Sequence, residues 1–166
     1  MLRRLKNGSL KFLNLILVIA VGALVLDVLL GVASRYLWGA QVKWTEELAT
    51  ILLIWVSFLG IAAAFEAKAH LGIDFLVERL SGCAQRRLEL LSHLISIVFV
   101  CIAFLLGGGI LVRQALVNVN ILPALQVSDV VMYLPLPLSG LFILVYEAAN
   151  FLEVLRKPCG ADEGEE

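Results

Sequence analysis

The feature that most constrains this chain is the run at 48–65, LATILLIWVSFLGIAAAF, 18 residues without an acidic or basic side chain. A bilayer's hydrocarbon core is about 30 Å thick and takes about 20 apolar residues to cross as a helix. Hydrocarbon offers no water to the backbone, so such a run must satisfy its own amides and carbonyls, which a helix does. Three further runs have this character, at 12–33, 90–112 and 130–152. The first carries Asn14 and Asp27, the third Gly107, Gly108 and Gly109, and the fourth Pro135, Pro137 and Glu147. Membrane helices tolerate glycine and proline where neighbouring helices cover the disturbed backbone.

Composition agrees. The chain is 61% hydrophobic and 16% charged with mean hydropathy +0.95, above the apolar and below the charged share of a soluble domain. Its 166 residues, after four crossings, leave only short connections, so no separate catalytic domain is expected. A net charge of -1 gives no global attraction to nucleic acid. The sequence therefore predicts an all-α integral membrane protein: one domain at 1–155 with four transmembrane helices over about 12–34, 46–65, 88–112 and 130–152. Between helices two and three, Ile73, Leu76, Val77 and Leu80 recur at helical spacing with Asp74, Glu78 and Arg79 off the stripe, which predicts a short amphipathic helix lying in the interface. Residues 156–166 form a polar, acidic tail.

The first apolar run exceeds a signal peptide's hydrophobic core of about 7–15 residues and continues to Arg35, so it reads as a helix that stays. The second helix is expected to start at Thr45, its hydroxyl capping a free first-turn amide, with Glu46 and Glu47 favoured by the helix dipole. Orientation follows from Lys and Arg. Arg3, Arg4, Lys6 and Lys11, then Lys68, Arg79, Arg86 and Arg87, then Arg156 and Lys157 fall on one side, against Arg35, Lys43 and Arg113 on the other. Both termini are expected in the cytoplasm, with Trp44 at the outer interface.

Asp27 is an ionisable group inside a span, and such a group is a functional hypothesis by default. It could take a coupling proton or cation; the structural alternative is a hydrogen bond along its own face to Ser34 or Arg35, favoured because no other inward polar residue accompanies it. Arg35, Glu46 and Glu47 flank one short loop and are expected to pair, tying helix one to helix two. Gly60 and Ala64 form a small-xxx-small step suited to close helix packing. His70 and His93 raise a bis-histidine haem, but both fall near the cytoplasmic ends, and Glu89, one turn before His93, gives it a simpler helical partner. Cys83, Cys101 and Cys159 have neither metal-ligand nor disulfide-framework spacing. No nucleophile, metal or phosphate-loop arrangement supports an enzyme.

RYLWG at 35–39, WTEELA at 44–49, WVSFLGIAAAF at 55–65 and HLGID at 70–74, with PALQVSDVVMYLPLPLSG at 123–140 as a weaker element, resemble the DctQ-type small membrane subunit of tripartite ATP-independent periplasmic (TRAP) transporters. The resemblance implies four helices in the bacterial inner membrane and stable association with a large TRAP permease subunit. It implies that the large subunit holds sodium and solute, that a periplasmic substrate-binding protein delivers a carboxylate, and that the small subunit is a non-catalytic scaffold without a cofactor. Arg35, Trp44, Glu46 and Glu47 would then fix the outer end and His70 to Asp74 the inner end, with Trp55 and Gly60 as further structural or partner-contact positions; Asp27 has no role in the motif. Two other classes stand beside it: a self-sufficient multidrug-type proton antiporter using Asp27, and a haem-binding membrane anchor.

Overall fold

The computed structural model describes residues 2–40, 42–66 and 83–156. The expected interfacial helix, with His70 and Asp74 beside it, and the tail after 156 lie outside the described residues. Helices α1 (Leu2–Trp38), α2 (Lys43–Glu66) and α3 (Cys83–Val100) are followed by a π-helical stretch, Cys101–Gly107. Then come α4 (Gly108–Asn118), α5 (Val130–Tyr133) and α6 (Pro135–Arg156). Among the described residues, four helical spans are long and apolar enough to cross a membrane: Lys11–Leu37, Lys43–Phe65, Ala84–Asn118 and Val130–Leu155. The protein is all-α and integral to the membrane.

Local chemistry sets the ends. Gly39, at φ +69°, takes the left-handed position that closes α1, a conformation glycine adopts without a Cβ clash. α2 begins at Lys43, two residues before the expected Thr45, and the Thr45 hydroxyl donates to the Val42 carbonyl at 2.7 Å instead of accepting from an amide. The reason is burial: Thr45 is enclosed, and a hydroxyl with its hydrogen placed on a carbonyl leaves no donor unsatisfied. The third span continues beyond Arg113 to Asn118. Arg113 is exposed, and a long cationic side chain can reach the interface without ending a helix. Val119, at φ 48°, ends it. The break between α5 and α6 falls at Leu134, immediately before Pro135, whose missing amide hydrogen suits the first position of a helix.

Every span contributes to the core, which gathers Leu13 of α1, Leu59 and Ala62 of α2, Val100 of α3 and Ile143 of α6. The packing order is asymmetric: α1 packs on α2, while α2 and α3 both pack on α6. α6 is accordingly the central helix and buries Ser139, Tyr146, Glu147 and Asn150. Its closest approach is to the π-helical stretch, where a methyl group on Gly140 would lie 2.7 Å from Phe104 Cβ. Phe104 is held edge-on by Phe58 and Phe99, at ring-centroid distances of 6.0 and 6.2 Å, arrangements worth about 0.5–1.5 kcal/mol each beyond buried area. Of the glycine triplet only Gly108 meets another helix closely, where an added methyl would lie 3.0 Å from Pro137 Cδ; a methyl on Gly109 would meet open space. Gly60 likewise faces open space and Ala64 is exposed. The expected small-residue contact of α2 is made instead by Ala62, which has no exposed surface.

Candidate functional site

The polar residues singled out on α2 divide between two faces. On one, Glu47, Ile51, Trp55 and Leu59 recur every four residues and Ala62 follows, a stripe along one side of a helix. Near the start of α2 the Glu47 carboxylate accepts the amide hydrogens of Ala124, at 3.0 and 3.1 Å, and Leu125, at 2.8 Å. Two turns on, the Trp55 indole N–H donates to the Val131 carbonyl at 3.0 Å. The first partner lies on the segment that joins the third span to the fourth, and the second on α5 at the start of the fourth span.

That segment is built to present those amides. The Leu122 amide donates to the Val127 carbonyl and the Asp129 amide to the Asn120 carbonyl, at 2.9 and 3.1 Å, while Gln126 at φ 54° turns the chain back. Leu122 is buried beneath it. The loop therefore folds on itself and leaves the Ala124 and Leu125 amides facing outward to a charged acceptor. Charge-assisted bonds of this kind contribute about 1.5–3 kcal/mol each.

The expected ion pair of Arg35 with Glu46 or Glu47 is not formed. Glu47 satisfies its oxygens on the loop amides, which are fixed in place, so a flexible guanidinium across the α1–α2 turn offers less. Arg35 and Glu46 instead line a recess of about 400 Å³ between α1 and α2, together with Asp27, Thr45 and Thr50. Trp44 stands beside this turn and is exposed.

Asp27 is 4% exposed, and neither of its oxygens has a hydrogen-bond partner. The bonds expected from Ser34 and Arg35 are absent because Ser34 donates to the Gly31 carbonyl at 2.8 Å, closing its hydroxyl onto its own helix. Arg35 begins eight residues later, about 12 Å along the helix axis.

At the other end of the bundle His93 of α3 contacts the fully buried carboxylate of Glu147 on α6, Nδ1 to Oε2 at 2.5 Å. The expected partner was Glu89. Glu147 prevails because its burial leaves it no water, whereas Glu89 is partly exposed. Arg86 closes the same end by donating to the Leu155 carbonyl near the end of α6 at 2.7 Å, a favourable place for a cation. Sequence reasoning passed over this cross-helix pair. Its signal was available: two ionisable residues lie near the same end of antiparallel spans, which places them at one level. Among the described residues no three His, Cys, Asp or Glu side chains gather as a metal site would require.

The comparisons with known proteins agree with the architecture. Residues 24–157 match the family described as tripartite ATP-independent periplasmic transporters, DctQ component. A Haemophilus influenzae protein assigned as a TRAP transporter small permease is 24% identical over 143 residues, covering 86% of this chain and 87% of that one. The sialic acid TRAP transporter small permease protein SiaQ of Vibrio cholerae is 25% identical over 125 residues, 75% of this chain and 70% of that one. The isethionate TRAP transporter permease protein DctMQ of Oleidesulfovibrio alaskensis is 30% identical over 105 residues, which are 60% of this chain but 16% of that much longer one. The match to the family extends from the middle of α1 to the end of α6, across all four spans: this chain belongs to the DctQ component family of TRAP transporters.

Proposed function

We propose that this chain is the small, non-catalytic scaffold subunit of a sodium-driven TRAP importer. It stands in the inner membrane with both termini in the cytoplasm, beside a large permease subunit, and a periplasmic binding protein delivers the solute. The observation that carries this reading is where the polar side chains go. Glu47 and Trp55 fasten α2 to the loop and α5, and His93 and Arg86 fasten α3 to α6. Polar groups spent in this way hold helices in position, whereas a transport path needs them converging on a cavity at mid-membrane.

The apolar surface supports the same reading. Along α1, Val18, Val25, Leu26, Leu29 and Leu30 are all exposed, suited to lipid on one side and a larger membrane partner on another. Sodium and solute would be held by the large subunit, with no cofactor on this one. Relatives are named for sialic acid and for C4-dicarboxylates, which favours a carboxylate; one named for isethionate extends the class to small organic acids generally.

Proteoliposomes test the proposal. Sodium-driven uptake of a carboxylate with its binding protein should need both membrane subunits together. Uptake by this chain alone would overturn the scaffold reading in favour of a small self-sufficient carrier.

A further inference from the structure

We infer that the recess between α1 and α2 around Asp27 receives a basic side chain, lysine or arginine, from a membrane helix of the large permease subunit. The inference rests on the scaffold reading above. Its centre is a carboxylate 4% exposed with both oxygens unpartnered, inside the Lys11–Leu37 span. An ionisable side chain at such depth is costly unless another group meets it. None does within the described chain.

The recess around it is short of donors. The Thr45 and Thr50 hydroxyls have placed their hydrogens on the Val42 and Glu46 carbonyls, at 2.7 and 2.8 Å, so they offer the recess only lone pairs. Two carboxylates, Asp27 and Glu46, and one guanidinium, Arg35, line the recess. A single added positive charge balances the set.

The shape selects how that charge arrives. Val28, Val32 and Ala49 give the recess apolar walls, which suit the aliphatic stem of a lysine or arginine with its charged head at Asp27. The surroundings select a helix as the carrier. α1 packs on α2, and Val28, Leu29, Leu30 and Val32 beside the recess are each about half exposed or more. The face next to the acid is thus an apolar helix surface without a neighbour among the described residues, beside a recess of about 400 Å³.

Co-expression with the tagged large permease subunit of its transporter tests the inference. Wild-type chain should co-purify in mild detergent, Asp27→Asn should lower the retained amount about tenfold, and Asp27→Lys should abolish it. Val28→Cys, in a chain with Cys83, Cys101 and Cys159 replaced by alanine, should cross-link to the large subunit. Far-UV circular dichroism and gel filtration of each isolated variant separate lost docking from lost folding, and Asp27→Glu supplies a second, conservative variant expected to retain partial docking. If wild-type chain is not retained, the scaffold reading falls and the inference with it. If wild-type is retained and Asp27→Asn and Asp27→Lys are retained equally, the inference alone falls. It also falls if the Val28→Cys thiol links two copies of this chain, or if the isolated chain binds radioactive sodium and Asp27→Asn does not.

Discussion

The two sides of α2 are finished to different degrees. Toward α6 its polar groups are matched: Glu47 accepts two amides, Trp55 donates to a carbonyl, and the residues between and beyond them are buried core. Toward α1 the same helix leaves Asp27 unpartnered and Arg35 and Glu46 facing a shared recess without an ion pair. The difference is not one of polarity, since both sides carry carboxylates. One side was closed by chain of this same molecule, and the other was left with charges that a second molecule can complete. A subunit that folds first and docks afterwards needs both, because a surface that satisfied itself fully would have no reason to bind.

The largest effects should come from the closed part of the bundle, beginning with the pair that joins α3 to α6. Glu147→Ala removes the acid that meets His93 within the bundle. Breaking a buried pair from one side costs about 3–5 kcal/mol, and unfolding of the detergent-solubilised chain should report it. His93→Ala should cost a similar amount, and the double variant less than the two together, because the contact they share is lost only once. Full additivity would show that the two side chains are not energetically coupled.

Glu47→Ala comes next, at about 3 kcal/mol for two amide bonds to a charged acceptor. The loop at 119–129 should become protease-sensitive in that variant, because its Ala124 and Leu125 amides lose their acceptor. Glu46→Ala, one residue away, provides the contrast. If the two cost the same in the isolated chain, the division of α2 into a closed and an open side is wrong.

How far the sequence reaches can be judged from these same residues. The four crossings were legible because hydropathy and length depend on each run alone. Family membership was legible from RYLWG, WTEELA and the residues after Trp55. Pairings were not, for a physical reason: a carboxylate's partner is whatever donor the fold brings near, and the donors for Glu47 lie more than seventy residues away on backbone that any residue type could supply. The same holds for Gly60 and Gly140. Only packing shows that Gly140 meets Phe104 while Gly60 faces open space, although Gly60 has the more suggestive spacing. The π-helical stretch left no mark in the residue pattern at all.

Those two glycines give an intermediate prediction. Gly140→Ala places a methyl 2.7 Å from Phe104 Cβ, and overpacking of this kind costs about 1–3 kcal/mol. Gly60→Ala meets nothing within 4 Å and should stabilise the chain by about 0.5–1 kcal/mol through helix propensity. Opposite signs in thermal unfolding are expected. A destabilising Gly60→Ala would mean that α2 approaches a neighbour more closely than its packing here implies.

The smallest effect bears most directly on the comparison. Arg35→Gln and Glu46→Gln should each change the isolated chain's stability by no more than about 0.5 kcal/mol, as expected for exposed charges without a fixed partner. A double variant should show no coupling, because the two do not form an ion pair. In the complex with the large subunit the expectation changes: adding a basic side chain between them would couple each to the newcomer, Glu46 favourably and Arg35 unfavourably. Arg35→Gln should then tighten co-purification slightly and Glu46→Gln weaken it, with both shifts reduced in high salt because these charges sit at the exposed mouth. Coupling already present in the isolated chain would mean that the open side of α2 closes on itself in solution, and the contrast between its two faces would disappear.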